Sequence, residues 1–201
     1  MRFHLAWLLS LELFVCAATA SADWPQFRGP GGEGHSTATG LPLAWSESRN
    51  VTWKVPVEGR GWSSPVLLGN EIWMTTALPT AAEAEEAEKM LGGLPFPAPN
   101  SDVARGVILK AVCLDRQTGR LLRSVTLFEF AELLQICSVN SFASPTPVIE
   151  SGRLYCDFGT MGTACLDTTT GKIIWKRHLP IEHQVGPGQA ARLMASLPWR
   201  R

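Results

Sequence analysis

Short apolar stretches separated by polar or glycine-containing turns run through most of the chain, and two of these stretches match each other. Residues 65–73, P-V-L-L-G-N-E-I-W, and residues 147–155, P-V-I-E-S-G-R-L-Y, align at an offset of 82. Each consists of an apolar start, a polar turn and an apolar-aromatic continuation. This pattern predicts two β-hairpins.

A second matched pair lies further along the chain. Residues 113–122 and 165–174 align at an offset of 52 and share the sequence Leu-Asp-x-x-Thr-Gly-Lys/Arg. In such an element the aspartate accepts hydrogen bonds from the turn and the glycine adopts positive φ. The second copy continues to Trp175, whereas the first has Arg123 at that place. We interpret the first copy as degenerate.

A third, partial match and an insertion complete the pattern. Trp53-Lys54 resembles Trp175-Lys176, and the fall in offset from 82 to 52 assigns the extra residues to the insert 77–107. There Thr80 and Glu83 have capping-box spacing, and Gly92 follows an Ala/Glu-rich run. We predict a surface helix of about ten residues, whose acidic run is a solvated face rather than a cation site.

The N-terminus is typical of an exported protein. Residues 1–22 have an early arginine, a short apolar run and small residues at their end, and we interpret them as a signal peptide. The apolar run is shorter than the roughly 20 residues that span a bilayer. We predict a periplasmic or extracellular location and no transmembrane segment.

The charge balance excludes one class of partner. The chain has 18 basic and 18 acidic residues, without a basic stripe. Because nucleic-acid-binding proteins need an excess of positive charge at their interface, we predict no nucleic-acid partner.

Three motifs, taken in order, resemble one family. The Leu-Asp-x-x-Thr-Gly-Lys-x-x-Trp element at residues 166–175 resembles the pyrroloquinoline-quinone-like repeat of β-propellers. W-P-x-F-R-G-P at residues 24–30 and S-P-T-P-V at residues 144–148 resemble exported bacterial propellers of the planctomycete type. These are related to the outer-membrane assembly propeller and to quinoprotein dehydrogenases. The resemblance implies four-stranded blades, with a tryptophan that docks one blade onto the next.

On this resemblance the fold class is all-β: a partial β-propeller of about two four-stranded blades with one inserted surface helix. We predict a signal peptide at 1–22, an N-terminal arm at 23–44, an incomplete propeller at 45–188 and a divergent tail at 189–201. The tail is interpreted as the product of truncation or a shifted reading frame, with a genuine short C-terminal segment as the alternative.

The glycine spacing at the start of the arm suggests a competing interpretation. Gly29, Gly31 and Gly34 fit the G-x-G-x-x-G spacing of dinucleotide-binding loops. Such a loop must follow a buried strand and open a helix, and neither pattern flanks these residues. We interpret the stretch as a loop in an arm that packs onto the propeller.

No chemistry-bearing pattern in the chain predicts catalysis or a cofactor. The resemblance to quinoprotein dehydrogenases would bring adjacent cysteines, an aspartate base and calcium ligands, and none of these maps onto this sequence. Asp115 and Asp167 are assigned to turns. We predict no catalytic residue and no metal site, and no cofactor-binding residue can be assigned.

The other reactive side chains are assigned structural roles. His178 and His183 flank Glu182, but ordinary loop histidines are favoured over a metal site. Four serines near prolines have no nucleophile-elbow motif: Ser63, Ser64, Ser141 and Ser144.

Four cysteines follow the predicted signal peptide: Cys113, Cys137, Cys156 and Cys165. Buried strand positions are favoured for them over disulfides, and Cys137–Cys156 is the preferred pair if a bridge forms.

The function that follows is a non-catalytic exported module, a scaffold or protein-interaction surface belonging to a larger propeller. Its partners would be proteins, or other copies bound through open blade edges. Two alternatives stay open: a fragment of a quinone-dependent dehydrogenase, and a truncated product without function.

Overall fold

The computed structural model describes residues 23–92, 101–132, 134–137 and 140–178. The predicted signal peptide, the predicted tail, Glu182 and His183 lie outside the described residues. The strands within them are β1 Val66–Leu68, β2 Glu71–Ala81, β3 Ser101–Asp115, β4 Leu121–Phe130, β5 Leu134–Cys137, β6 Val148–Glu150, β7 Arg153–Asp157, β8 Thr163–Asp167 and β9 Ile173–Arg177. Helix α1 is Ala84–Gly92, and short 3₁₀ turns lie at Pro30–Gly32 and Gly159–Met161.

The strands form two antiparallel sheets that follow one another along the chain. The first sheet has the order β1-β2-β3-β4, with β5 paired to β3, and the second has the order β6-β7-β8-β9. The prediction of an all-β fold with about two four-stranded units and one inserted helix is confirmed, with β5 as a fifth strand in the first sheet. The two sheets are not closed into a ring, and their arrangement is consistent with two neighbouring blades of a partial propeller.

The two sequence repeats occupy equivalent positions in the two sheets. Val66 pairs with Trp73 in the first sheet, and Val148 pairs with Tyr155 in the second. In each sheet the third and fourth strands also shift register at the same repeat position, between Cys113 and Leu114 and at the corresponding step of β8. Residues aligned by the offsets of 82 and 52 are therefore structurally equivalent. Both sheets also have a β-bulge at the same repeat position.

The insert extends strands rather than forming a separate loop. β2 and β3 stay paired beyond the length of the repeat, from Ala77 opposite Leu109 to Ala81 opposite Ala104. β5, which the sequence pattern did not reveal, pairs with the outer end of β3. Pairing between β2 and β3 therefore continues through residues that belong to the predicted insert.

The helix is present but begins later than its capping motif indicates. Thr80 belongs to β2 and pairs with Gly106, and helix α1 starts at Ala84. Glu83 precedes the helix, and its backbone N–H donates to the Glu86 carboxylate at 3.3 Å. Because Thr80 is held in the sheet, it does not cap the helix.

The core lies between the facing sides of the two sheets. Trp73, Leu109 and Leu127 of the first sheet are fully buried, as are Leu154 and Leu166 of the second. Their apolar surfaces are removed from water only when the sheets pack together, so this contact holds the two meanders as one body.

Three of the four cysteines that follow the predicted signal peptide are buried strand residues. Cys113, Cys156 and Cys165 are free and fully buried. Cys156 packs in the core between the sheets, and burial raises the pKa of its thiol. The Cys137–Cys156 bridge is therefore not formed, and the buried interpretation holds for the three described thiols.

The two predicted Asp-x-x-Thr-Gly turns have the expected geometry. Oδ1 of Asp115 accepts hydrogen bonds from the Thr118 hydroxyl and amide, both at 2.8 Å. Oδ1 of Asp167 accepts from the Thr170 amide at 2.7 Å and its hydroxyl at 2.8 Å. The glycines that end these turns have φ near +70°, a conformation that costs other residues energy. The two glycines are Gly119 and Gly171.

These turns should make stability depend on pH in the acid range. Bonds from the threonine hydroxyl and amide hold the pKa of each aspartate below its ordinary value of 3.8. A depressed pKa contributes stability that is present above the unfolded value and is lost as pH falls through the folded one. The double variant D115N/D167N should therefore lose less stability than the wild type between about pH 5 and pH 2. Denaturant unfolding across this range measures the slopes; the exposed E150Q is the control, and parallel curves for wild type and double variant would contradict the prediction.

Candidate interaction surface

One side chain before the first sheet docks onto that sheet's Asp-x-x-Thr-Gly turn. The Trp53 ring lies against Gly119, where a Cβ atom would stand 2.6 Å from ring carbon Cε3. Its Nε1 donates to the Arg116 carbonyl at 2.9 Å. The glycine is therefore required both by its positive φ and by the closeness of the ring.

Arg123 makes the equivalent contact between the first and second sheets. Its Nη2 donates to the Thr169 carbonyl at 2.8 Å, and its Cδ lies 3.5 Å from the Cβ position of Gly171. Its Nη1 donates to Glu71 Oε1 at 3.1 Å, and Glu71 Oε2 accepts from the Trp73 indole at 2.9 Å. The copy interpreted as degenerate thus docks with a guanidinium where the repeat otherwise has a tryptophan ring.

Trp175 occupies the same position in the second sheet, but it covers no turn among the described residues. Its side chain is 37% exposed and lies beside Tyr155, with ring centroids 6.3 Å apart. Cys165 pairs with Trp175 on one side and with Tyr155 on the other, and Val148 completes this row. We name this side of the second sheet, with Val148, Tyr155, Cys165 and Trp175, the open face.

The open face has a covered counterpart in the first sheet. Val66, Trp73 and Cys113 are the equivalents of Val148, Tyr155 and Cys165, and all three are fully buried. Val148 and Tyr155 are only half-buried, whereas Cys165 is fully buried. An apolar row that is enclosed in one repeat is therefore partly exposed in the next.

The N-terminal arm joins the first strands of both sheets. Trp24 exchanges two backbone hydrogen bonds with Leu67 of β1, each 2.9 Å, and Pro25 accepts one from Ile149 of β6, also 2.9 Å. The Trp24 ring lies against Gly29, where a Cβ atom would stand 2.6 Å away. No helix follows this glycine-rich stretch, so its geometry is that of a loop rather than of a strand-turn-helix dinucleotide site.

The four serines singled out in the sequence hold loops together. Ser63 Oγ donates to the Thr75 carbonyl at 3.3 Å, and Ser144 Oγ donates to the Ser141 carbonyl at 2.8 Å. The Ser64 amide donates to Thr146 Oγ1 at 3.0 Å. These bonds anchor the loops that lead into β1 and β6.

His178 lies at the exposed end of β9, with its ring centroid 6.4 Å from that of Phe130. Among the described residues, no group of three or more His, Cys, Asp and Glu side chains is placed to hold a metal ion. No helix in that part of the chain is both long and apolar enough to cross a bilayer.

Comparison with known proteins adds no relative: no protein-family model and no curated protein matches the chain. The propeller resemblance therefore rests on the motifs of this sequence. The features that sequence reasoning missed are the Arg123 contact and the partial exposure of the Trp175 row. A glycine after Asp-x-x-Thr indicates where a docking side chain can lie, but not which residue supplies it.

The two turn glycines provide a matched test of docking. Gly119→Ala and Gly171→Ala each carry a positive-φ penalty of about 1–2 kcal/mol. Only the first places a methyl group against an indole ring, so G119A should lower the free energy of unfolding by more than G171A. Removing the ring first, in W53A, should reduce the cost of G119A towards that of G171A. Urea unfolding of the single and double variants measures both effects, and equal costs for the two glycines would contradict the Trp53 contact.

The Arg123 contact should stabilise the packing of the two sheets. Arg123→Ala removes charge-assisted hydrogen bonds to Glu71 and Thr169 and should cost about 1–2 kcal/mol after allowance for partial exposure. The exposed R120A is the control and should be nearly neutral. R123W, which supplies the ring found at the equivalent position, should cost less than R123A. A cost for R123A no greater than that of R120A in urea unfolding would refute this role.

Proposed function

We propose that the chain is a non-catalytic, propeller-type module that acts as a protein-interaction scaffold and binds through the open face. The observation that carries the proposal is the contrast between two equivalent rows. Val66, Trp73 and Cys113 are enclosed by the next sheet, whereas their equivalents Val148 and Tyr155 are only half-buried and the neighbouring Trp175 is 37% exposed.

The chemistry of the open face favours a protein partner. Tyr155 and Trp175 provide aromatic surface, and such residues are enriched at the centres of protein interfaces. Charged residues of both signs lie around them, among them Arg153, Glu150 and Arg177, all exposed. An apolar centre with a charged rim suits a protein surface better than a small polar ligand.

The expected partner surface is a turn like those already docked in this chain. Gly119 is covered by Trp53 and Gly171 by Arg123, so neither described turn is free to receive Trp175. The complementary surface would be a further Asp-x-x-Thr-Gly turn with an uncovered glycine, such as another repeat of a larger propeller supplies. The N-terminal signal-peptide pattern supports an exported setting for this assembly.

Without that partner, the open face should drive self-association, because exposed aromatic surface and unpaired strand edges associate. The purified chain should show an apparent mass that rises with concentration, and W175S should shift it towards the monomer. Trp62→Ser is the matched control, since Trp62 is 65% exposed but lies off the open face. Size-exclusion chromatography with light scattering measures this. A monomeric wild type, or equal effects of the two substitutions, would overturn the proposal.

A further inference from the structure

Residues 51–57 form an extended segment that packs on the first sheet without joining it. Trp53, Val55 and Val57 are half-buried, whereas Thr52 and Lys54 are exposed. This alternation is that of a β-strand with one face on a packed surface. Yet residues 51–57 pair with no strand in the described part of the chain. We name them the unpaired strand.

The repeat pattern identifies which strand this is. Trp53-Lys54 matches Trp175-Lys176 of β9, and Trp53 docks on Gly119 much as Arg123 of β4 docks on Gly171. β9 and β4 are each the fourth strand of a sheet and each pairs with a third strand, β8 or β3. The unpaired strand therefore holds the position of a fourth strand that docks on the first sheet, and none of the described residues forms a third strand beside it.

An open apolar surface lies next to the unpaired strand. A groove of about 300 Å³ separates it from the first sheet, lined by Val55, Val112 and Leu121 among others. Leu121 is 58% exposed in this groove, whereas its repeat equivalent, Ile173, packs against the core.

Strand β2 shows the same contrast in burial when it is compared with its repeat equivalent, β7. Ile72 and Met74 of β2 are half-buried, whereas their equivalents Leu154 and Cys156 are fully buried. In the second sheet, the equivalent surface is covered by a complete neighbouring sheet. Within the described part of the chain, the side of the first sheet that faces the unpaired strand is therefore less buried than the equivalent side of the second sheet.

We propose that the unpaired strand is a β-addition site, which binds an extended antiparallel strand of a partner protein. Added strands gain backbone hydrogen bonds along a free edge and place alternate side chains into a neighbouring groove. Pro56 has no N–H to donate, so we expect the backbone pairing to centre on residues 51–55. This inference rests on the proposed scaffold role and adds a second contact at the opposite end of the sheet stack.

The repeats also specify the partner strand. Cys113 lies opposite Arg123, and Cys165 lies opposite Trp175, so a small side chain stands across from each docking residue. We expect the partner to have a small residue opposite Trp53 and apolar residues at alternate positions, which enter the groove. In another molecule of this chain, β3 and β8 are already paired on both edges, so neither is free to supply this strand.

The test uses a synthetic peptide of residues 153–167, which carries the sequences of β7 and β8, labelled with fluorescein. The purified chain should bind it saturably in fluorescence anisotropy. Leu121→Arg places a charge in the groove at an exposed position and should weaken binding by about tenfold or more. Lys54→Pro removes a backbone donor from the unpaired strand and should have a similar effect, whereas L43P, at a fully exposed position outside it, should not.

The register is tested in the peptide. Replacing its residue Cys165 by Trp should abolish binding, whereas replacement by Ala should preserve it. Absence of saturable binding, or binding unaffected by L121R and by the Trp-substituted peptide, would overturn the inference. W175S separates the two proposals: it should shift the chain towards the monomer and leave peptide binding unchanged. Loss of self-association in W175S without any peptide binding would retain the scaffold proposal and reject the strand-addition site.

Discussion

The whole arrangement depends on one repeated contact, in which a side chain of an outer strand covers the Asp-x-x-Thr-Gly turn of the next sheet. The turn presents its glycine because Asp115 or Asp167 accepts the bonds that shape it, and a residue without a Cβ leaves space above the backbone. Trp53 fills that space with a ring, and Arg123 fills it with a guanidinium. This contact sets the distance between neighbouring sheets. Burial of the apolar side chains between the two facing sheets then stabilises their packing.

The substitution of arginine for tryptophan changes the physics of this contact. A tryptophan docks mainly through apolar area and one indole hydrogen bond, whereas Arg123 docks through directed bonds to Glu71 and Thr169. Glu71 also accepts a bond from the buried Trp73, so its carboxylate links the core of the first sheet to the turn of the second. The repeat can therefore lose its characteristic residue and keep its geometry, because the turn offers carbonyl acceptors as well as an open glycine.

The stack has the same kind of unfinished surface at each end. Within residues 23–178 as far as the structure describes them, no turn covers the Trp175 row at one end, and no third strand pairs with the unpaired strand at the other. Each of these surfaces has a more buried equivalent elsewhere in the molecule, so exposed and covered surfaces are compared within one chain. Under the proposed scaffold function, each of these two surfaces would bind a partner.

Much of the local structure follows from the sequence alone. The hairpins of residues 65–73 and 147–155, the two aspartate turns and their positive-φ glycines depend on short-range hydrogen bonding and sterics, and the residue types encode these directly. The all-β class follows from the same periodic pattern. The helix in the insert is also predictable from the sequence, because its Ala/Glu-rich composition favours a helix.

Only the tertiary structure decided the features that depend on residues distant in sequence. Thr80 stays in a strand because Gly106 pairs with it, β5 forms because the outer end of β3 has a free edge, and Cys156 stays free because it packs between the sheets. The role of Arg123 depends on Thr169, 46 residues away. The sequence determines which turns and strands can form, since those energies are local; which side chain covers which turn is a packing question, and it is settled only when the sheets meet.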